Sequence, residues 1–285
     1  MLKKLIIFVS YLTILLDNII HFFFKKNFRY YFYDILRINS ITKIVIKKKK
    51  VFLFHPSHLS KWRVETFFTK EPETLKWIES FKKNSNIIFW DIGANIGLYS
   101  IYTAINFKRS KIISFEPSTL NLNILSRNVS LNNLEKKINI FQIGLTNVNN
   151  NFFEMNETTL EEGGALSSFG KNYNFEGKKI NKINKYSIFG TTIDYLIFNN
   201  ILKVPDYIKI DVDGTEHVIL NGAEKTLKKN KIKSILVEVN ENFLDQKVNV
   251  ETILKKCGFY LKHKYIAQDV IGTKFSESYN YIFYK

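Results

Sequence analysis

The sequence predicts an α/β fold in which helices cover a mostly parallel sheet. From Ile87 onward, short apolar runs alternate with helical stretches, and this alternation is typical of strand–helix–strand units. A glycine-punctuated turn directly follows the first apolar run. With 45% hydrophobic and 15% aromatic residues the chain can bury a substantial core, so a disordered chain is excluded. Its 285 residues fit one generous domain with an appendage.

The apolar runs define five strands and a closing pair. We predict strands at Ile87–Asp91, Lys111–Glu116, Ile138–Ile143, Tyr207–Asp211 and Ser234–Val239, with the closing pair near Tyr260 and Tyr281. Ahead of them, Pro72 suits the first turn of a helix from Glu71 to Phe81. Residues Asn149–Ser187 are rich in Asn, Gly, Lys and Ser and lack a helical period, which predicts an insertion or mobile loop.

The chain divides into three predicted regions. Residues 1–29 form an apolar or amphipathic helix, residues 30–85 a lead-in segment that packs on the main domain, and residues 86–285 that domain. The strongest apolar run, Leu5–Phe24, has basic residues on both sides. Its polar residues recur at three- and four-residue steps and so form a narrow stripe on a helix: Ser10, Thr13, Asp17, Asn18 and His21.

The polar stripe favours a helix that lies on the main domain, on a second subunit or on a membrane surface. A spanning helix is the less favoured alternative, because inserting Asp17, Asn18 and His21 roughly offsets the gain from the apolar residues. No small-residue cleavage site follows the run, which argues against a cleaved signal peptide. The prediction is a cytoplasmic protein that residues 5–24 can attach to a membrane surface.

The charge and cysteine content narrow the function classes. A formal charge of +16 can indicate an anionic partner, but the abundance of Lys, Ile, Asn and Phe is also typical of an AT-rich coding sequence. Cys257 is the only cysteine, which excludes an intramolecular disulfide and a multi-cysteine metal site. A reducing compartment fits this composition.

The turn after the first strand indicates a cofactor site. It reads Asp91-Ile-Gly93-Ala-Asn95-Ile-Gly97 and leads into a helix near Leu98. Glycines permit positive φ and close approach of a ligand, and the N–H groups at a helix start attract anions. The dinucleotide fingerprint needs Gly at its first, third and sixth places, whereas two of these places hold Asn95 and Leu98. Because Asp91 would also repel a pyrophosphate and suits an ammonium group, S-adenosyl-L-methionine is preferred over NAD.

A second carboxylate belongs to the same site. The second predicted strand ends in Ser114-Phe115-Glu116-Pro117, so Glu116 lies at the carboxyl edge beside the first turn. A carboxylate can accept hydrogen bonds from two neighbouring hydroxyls, and ligands of open α/β sheets lie across this edge. Glu116 is therefore predicted to hold the ribose.

These motifs together resemble the FkbM family of methyltransferases. The resemblance combines Asp-Ile-Gly-Ala-Asn-Ile-Gly and Phe-Glu-Pro with Ile-Asp-Val-Asp-Gly-Thr-Glu at residues 210–216, and covers roughly Phe67 to the carboxyl terminus. Further similar stretches are Lys70-Glu71-Pro72-Glu73-Thr74, Arg127-Asn128, Thr192-Ile193-Asp194, Leu220-Asn221-Gly222-Ala223, Val237-Glu238 and Asn280-Tyr281-Ile282-Phe283. Asp213 departs from the family, which often has Glu there.

The resemblance implies a Rossmann-like class I methyltransferase fold, a mostly parallel seven-stranded sheet with an antiparallel final strand, over residues 86–285. It also implies O-methylation of a sugar or natural product, which suggests polysaccharide biosynthesis. The cofactor-binding residues that it implies are Asp91, Gly93, Asn95, Gly97 and Glu116, with Gln142 or Gly144 near the adenine.

Methyl transfer to a hydroxyl benefits from a general base, because an alcohol is a poor nucleophile at neutral pH. Asp211 ends the fourth predicted strand beside the crevice and is the first candidate; binding the methionyl amino group is its alternative role. Glu238 and His217 are the other candidates, although His217 also suits a structural role. Asp211, Asp213 and Glu238 could hold a divalent metal such as magnesium, but no metal is predicted.

Three alternatives to a methyltransferase with a carbohydrate or small-molecule acceptor remain open. The basic charge would suit a nucleic-acid methyltransferase, but Asp-Val-Asp-Gly stands where such enzymes carry a Pro-Pro-aromatic tetrad. A non-catalytic membrane-surface module would use the amino-terminal helix and lysines but leaves the glycine turn unexplained. An oxidoreductase is disfavoured by the glycine spacing.

Overall fold

The computed structural model of the protein describes residues 2–83, 85–267 and 270–285. Two compact units divide the chain, one ending at Thr42 and the other running from Lys43 to Lys285. The first unit contains two helices, α1 (Leu2–Phe24) and α2 (Phe28–Ile38). The three-region division drawn from the sequence stays a prediction.

The remaining elements alternate along the chain as the sequence indicates. Ahead of the main sheet lie β1 (Ile41–Ile46), β2 (Lys49–Phe54), α3 (His58–Glu65) and α4 (Pro72–Glu79). They are followed by β3 (Ile87–Ile92), α5 (Leu98–Asn106), β4 (Ser110–Phe115), α6 (Thr119–Leu131), β5 (Ile138–Phe141), β6 (Gly144–Leu145), β7 (Asn151–Glu157), β8 (Ser168–Phe169), β9 (Asn184–Thr191), α7 (Ile193–Phe198), β10 (Tyr207–Ile210), α8 (Glu216–Asn221), α9 (Glu224–Leu227), β11 (Ser234–Asn240), α10 (Leu244–Lys256), β12 (Tyr260–Tyr265) and β13 (Ser278–Tyr284).

The main sheet has seven strands in the order β12-β13-β11-β10-β3-β4-β5. Neighbours from β11 to β5 are parallel, whereas β13 runs antiparallel to both β11 and β12. The prediction of a mostly parallel seven-stranded sheet with an antiparallel final strand is thereby confirmed. Because β3 lies between β4 and β10, the turns after these three strands meet at one edge of the sheet.

The core lies on both faces of this sheet, since its central strands carry apolar side chains in succession rather than in alternation. Trp90 in β3 is fully buried and stands between Ile113 in β4 and Ile208 in β10. On the opposite face, the Trp77 indole N–H of α4 donates to the Ser234 hydroxyl of β11 at 2.9 Å. Burying an aromatic side chain of this size contributes about 2–3 kcal/mol.

The stretch Asn149–Ser187, predicted as an insertion or mobile loop, contains β7, β8 and the start of β9, which belong to a second sheet, and the residues between these strands form turns and loops. Strands β6, β9, β7 and β8 form this sheet in that order, and β7 pairs antiparallel with β9 over its whole length. These strands carry many polar residues, so the sequence lacks the apolar pattern by which a strand is recognised. Glu157, for example, is buried where it accepts hydrogen bonds from Ser118 and Tyr186 at 2.7 and 2.8 Å.

Candidate active site

The glycine turn after β3 brings two strand ends into contact. Gly93 has φ +81°, and a Cβ atom there would stand 1.9 Å from the Asp211 carbonyl oxygen just beyond β10. The N–H groups of Gly93 and Ala94 both donate to the Phe115 carbonyl of β4 at 3.0 Å. A glycine is therefore required both for the backbone conformation and for the close approach of β10.

Replacing Gly93 by alanine should lower the free energy of unfolding by about 3 kcal/mol or more, from φ strain and steric overlap together. Chemical denaturation of the full chain would measure this loss. Gly272→Ala is a matched control: its φ is +80°, but no described atom lies within 4 Å of the added Cβ. Equal losses in the two variants would show that strain alone matters and that the β3–β10 contact does not.

Glu116 lies at the edge between β4 and the glycine turn. Its Oε2 atom accepts the Asn95 N–H at 2.7 Å, and its Oε1 atom accepts the Ser118 N–H at 2.9 Å. Each carboxylate oxygen can accept a further bond. The side chain is 4% exposed, and this burial raises the pKa of Glu116 to about 7 against the lowering effect of the Ser118 and Asn95 N–H groups and the Asn121 side chain.

A small cavity of about 70 Å³ adjoins Glu116. Four residues that the sequence assigned to the cofactor line it together, namely Gly93, Asn95, Glu116 and Gly144. The segment Gly164–Phe169 lines its other side, with the Phe169 ring against Gly144, where a Cβ atom would meet it at 2.1 Å. These predicted residues thus converge although they follow three different strands.

Hydrogen bonds hold the segment Gly163–Ser168, which lies within the stretch predicted from the sequence as an insertion or mobile loop. The Gly164 carbonyl accepts from the side-chain amides of Asn95 and Asn121 at 2.8 and 3.0 Å. The Leu166 N–H donates to Asp213 Oδ2 at 2.7 Å, and Leu166 has a φ of +63°. Asp213 stands where the family often has Glu, and its shorter side chain is long enough to accept a hydrogen bond from this segment.

A larger cavity of about 560 Å³ lies next to the small one. Gly93, Asn95, Ala165, Asp211 and Asp213 line both cavities. The wall of the larger cavity carries two kinds of side chain. Its charged residues are Arg63, Lys70, Glu71, Lys209, Asp211, Asp213 and Glu238, and its aromatic residues are Trp62, Phe67, Tyr99, Phe175 and Phe275.

Two lysines neutralise part of the acidic wall. Lys209, 1% exposed within β10, places its Nζ atom 2.7 Å from Asp211 Oδ2. Lys70 Nζ lies 2.7 Å from Glu71 Oε1, and the Tyr99 hydroxyl donates to Glu71 Oε2 at 2.7 Å. Burial alone would raise the pKa of Glu71, but the charges of Lys70 and Lys209 outweigh it and lower this pKa to about 2.

Glu71 and Lys209 line the larger cavity but were not predicted as site residues from the sequence. A lysine inside the apolar strand Tyr-Ile-Lys-Ile is a signal that could have been used, because a fully buried ammonium needs an anionic partner. An acid directly ahead of Pro72, at the start of α4, is a weaker signal.

Glu238 differs from the paired acids. Within the described part of the chain, nothing donates a hydrogen bond to its carboxylate and no cation pairs with it. Burial raises the pKa of Glu238 well above its ordinary value, and the charges of Asp211 and Asp213 add to the effect. Burial likewise raises the pKa of Asp213 to about 6, again with the help of Asp211. Glu238 is therefore an acid suited to taking up a proton.

Asp91 and Gly97 lie close to the cavities but line neither. Asp91 is fully buried, and its Oδ2 atom accepts the Ser100 hydroxyl at 2.5 Å. Its Oδ1 atom has no hydrogen-bond partner among the described residues. Gly97, at φ +87°, begins α5 with its Cα against the Leu125 side chain. Both residues shape the turn, and their direct contact with the cofactor stays a prediction.

Gln142 and His217 are not brought to the cavities. The Gln142 side chain is exposed beyond the end of β5 and lines neither cavity. His217 is buried, because α8 turns it towards Phe243 and Tyr173, with ring centroids 5.7 and 6.5 Å away. This burial lowers the pKa of His217. A catalytic role for His217 and an adenine contact by Gln142 are therefore not supported by these positions.

A parallel sheet with a glycine turn and a strand-end acid is an architecture that binds nucleotide-like cofactors at its carboxyl edge. The model of the methyltransferase FkbM domain matches residues 91–261, more than half of the chain. The chain belongs to the FkbM methyltransferase family. The family predicted from the motifs is thereby confirmed.

Individual relatives are similar over parts of their length. Methyltransferase sdnD from Sordaria araneosa is 40% identical over 62 residues, which are 22% of this chain and 24% of that protein. The chain thus spans about a quarter of the curated relative that it matches.

Two solved structures are also similar. Methyltransferase FkbM from Methylobacillus flagellatus KT is 16% identical with a TM-score of 0.46, over 70% of this chain and 44% of that one. Precorrin-6y C5,15-methyltransferase from Geobacter metallireducens GS-15 is 12% identical with a TM-score of 0.44, over 75% and 86% of the chains.

Proposed function

We propose that this methyltransferase transfers the methyl group of S-adenosyl-L-methionine to a hydroxyl oxygen of a sugar or glycan-like acceptor. The observation that carries the proposal is the pair of adjoining cavities at the carboxyl edge of the sheet. Glu116 lies at the smaller cavity, Glu238 lies at the larger one, and Gly93 lines both. A cofactor that crossed Gly93 would reach from one acid towards the other.

The residues of the small cavity fit an adenosyl group. The unused acceptor sites of Glu116 suit two ribose hydroxyls, and Gly144 offers a surface without a side chain beside them. Because the cavity is smaller than an adenosyl group, we expect the segment Gly163–Phe169 to shift outward on binding. In the large cavity, Asp211 would then accept from the methionyl ammonium, and Asp91 would support the turn from behind.

S-adenosyl-L-methionine, when bound, supplies a methyl group on a positively charged sulfur that leaves as a neutral thioether. The chain's own task is to orient the acceptor and remove its proton. Glu238 is the best-placed base, because its carboxylate has neither a hydrogen-bond donor nor a cation beside it within the described residues. Asp211 is less suited to this role, because its carboxylate forms an ion pair with Lys209, with Nζ 2.7 Å from Oδ2.

The acceptor class follows from the wall of the large cavity. Rings such as Trp62, Phe175 and Phe275 offer apolar faces, and the charged residues opposite offer hydrogen bonds. Sites that combine flat apolar faces with a few polar groups suit ring-shaped polyhydroxyl compounds. The acids also disfavour a polyanionic acceptor such as nucleic acid. A cytoplasmic location fits the single buried cysteine and the need for this cofactor.

Two measurements test the proposal. Calorimetry with S-adenosyl-L-methionine and with its demethylated product should show binding to a single site. Hydrogen exchange of residues 158–169 should change on binding, because Asn95, Asn121 and Asp213 would release this segment.

Incubation with a labelled cofactor and a panel of glycans should then give a labelled product that resists mild alkali, as a methyl ether does. Lack of cofactor binding would reject the assignment of the cavities. Binding with label transferred to a carboxyl group, which alkali releases, or to nitrogen would instead reject the acceptor class alone.

A further inference from the structure

We propose that α1 spans a lipid bilayer, that α2 makes this possible by pairing with the only acid of α1, and that the methyltransferase unit lies on the cytoplasmic side. The inference concerns the unit that ends at Thr42 and does not depend on the proposed reaction. It reverses the preference drawn from the sequence, which favoured a helix lying on a surface.

The length and surface of α1 match a bilayer. Its 23 residues, at about 1.5 Å each, reach roughly 34 Å, whereas a hydrocarbon core is about 30 Å thick. The mean hydropathy of its most apolar window is 1.9, and only 6% of that window is buried. Apolar side chains such as Ile6, Leu12 and Ile19 are 48–59% exposed along its length. In water this surface would be a large unpartnered apolar area.

Three of the five polar side chains in the stripe of α1 have partners within this unit, whereas Asn18 and His21 are exposed. Asp17 is 8% exposed, and its Oδ1 atom accepts the Arg29 backbone N–H at 2.9 Å. The Arg29 Nε atom lies 3.8 Å from Asp17 Oδ2. The hydroxyls of Ser10 and Thr13 donate to carbonyls of the preceding turn at 2.6 and 2.8 Å.

This pairing changes the energy balance of insertion. An unpaired acid at the centre of a spanning helix raises the free energy of insertion by about 2.5–3.5 kcal/mol, and each strongly apolar residue lowers it by only about 0.3–0.6 kcal/mol. From the sequence alone, Asp17 counts as such an unpaired acid, beside the smaller costs of Asn18 and His21. Since Arg29 and the amino end of α2 neutralise and solvate Asp17, most of the cost of this acid disappears.

The second helix has the composition of a membrane interface. Tyr30, Tyr31 and Tyr33 of α2 are 56–62% exposed, and amphipathic aromatic rings favour the headgroup level. Lys25 and Lys26 join the two helices and suit anionic headgroups. These features identify the occupant of the apolar surface as a bilayer with anionic lipids.

The charge distribution also sets the orientation. Lys3 and Lys4 precede the apolar run, whereas Lys25, Lys26 and Arg29 follow it and further lysines occur at residues 43 and 47–50. The side richer in Lys and Arg faces the cytoplasm. The methyltransferase unit would therefore remain in the compartment that contains its cofactor.

The experiment uses the full chain, expressed in cells and recovered in the membrane pellet. After a wash with alkaline carbonate, wild type and Asp17→Leu should stay in the pellet. Leu12→Asp, which adds an unpaired acid to the exposed surface, should lower the retained fraction about a hundredfold. Leu12→Ala is the matched control for the lost side chain, and it should be retained.

Reconstitution in vesicles of phosphatidylcholine and phosphatidylglycerol then tests spanning itself. A tag before Met1 should be protected from external protease while the methyltransferase unit outside is digested. Release of the wild type by carbonate or by salt, or retention of Leu12→Asp equal to wild type, would overturn the proposal. Thermal melting of each variant checks that the second unit is still folded.

Discussion

Glu238→Gln is expected to lower kcat for the acceptor by about two to four orders of magnitude, the usual contribution of a general base. The amide keeps the shape of the side chain but cannot take the proton of the hydroxyl. The affinity for S-adenosyl-L-methionine should change little, because Glu238 lies at the larger cavity and not beside Glu116. Single-turnover methylation and calorimetry on the same sample would separate the two effects.

The raised pKa of Glu238 also predicts the direction in which the rate changes with pH. The base must be ionised to act, and burial raises the pKa of Glu238. Activity of the wild type should therefore rise with pH through a value well above that of an ordinary carboxylic acid. Glu238→Gln should lack this rise, whereas Glu135→Gln, a change at an exposed acid, should keep both the rate and the profile. A rate within threefold of wild type, roughly 0.6 kcal/mol, would remove Glu238 from the mechanism.

Glu116→Gln should weaken binding of S-adenosyl-L-methionine about 30- to 100-fold. This corresponds to roughly 2–3 kcal/mol, the loss expected when hydrogen bonds to a charged acceptor become neutral. The glutamine oxygen can still accept a hydrogen bond from one of the two N–H groups that donate to Glu116, so the fold should be preserved. Calorimetric titration would measure the affinity, with Glu154→Gln, an exposed acid of β7, as the control.

The protonation of Glu116 adds a second readout. Its pKa is raised to about 7, and the ribose hydroxyls favour the ionised form because they donate to it. Affinity in the wild type should therefore fall as the pH drops below about 7. Glu116→Gln should show no such fall, and unchanged affinity in this variant would contradict the ribose assignment.

The strands of the main sheet could be predicted because their residues are apolar in succession. Ile87–Ile92 and Ser234–Asn240 need no tertiary information to be recognised as buried strands. The second sheet was missed because β7 and β9 carry Asn, Lys and Glu, and their burial depends on partners far away in the chain. Glu157, held by Ser118 and Tyr186, illustrates this dependence.

The convergence of the candidate cofactor residues at strand ends was predictable for a geometric reason. The carboxyl ends of adjacent parallel strands lie side by side, so Gly93, Glu116 and Gly144 had to meet. The roles of Asp91 and Glu238 could not be separated in this way, since each depends on which groups fill the space around its carboxylate. For Asp211 the deciding group is Lys209, whose Nζ atom lies 2.7 Å from Asp211 Oδ2.

The segment around Leu166 connects the two cavities physically. Ala165 lines both of them, and the hydrogen bonds from Asn95 to Gly164 and from Leu166 to Asp213 anchor it at each end. A shift that admits an adenosyl group must therefore also reshape the wall that meets the acceptor. If the methyl donor binds as proposed, we expect a compulsory order of addition, in which the donor binds first and completes the pocket for its co-substrate.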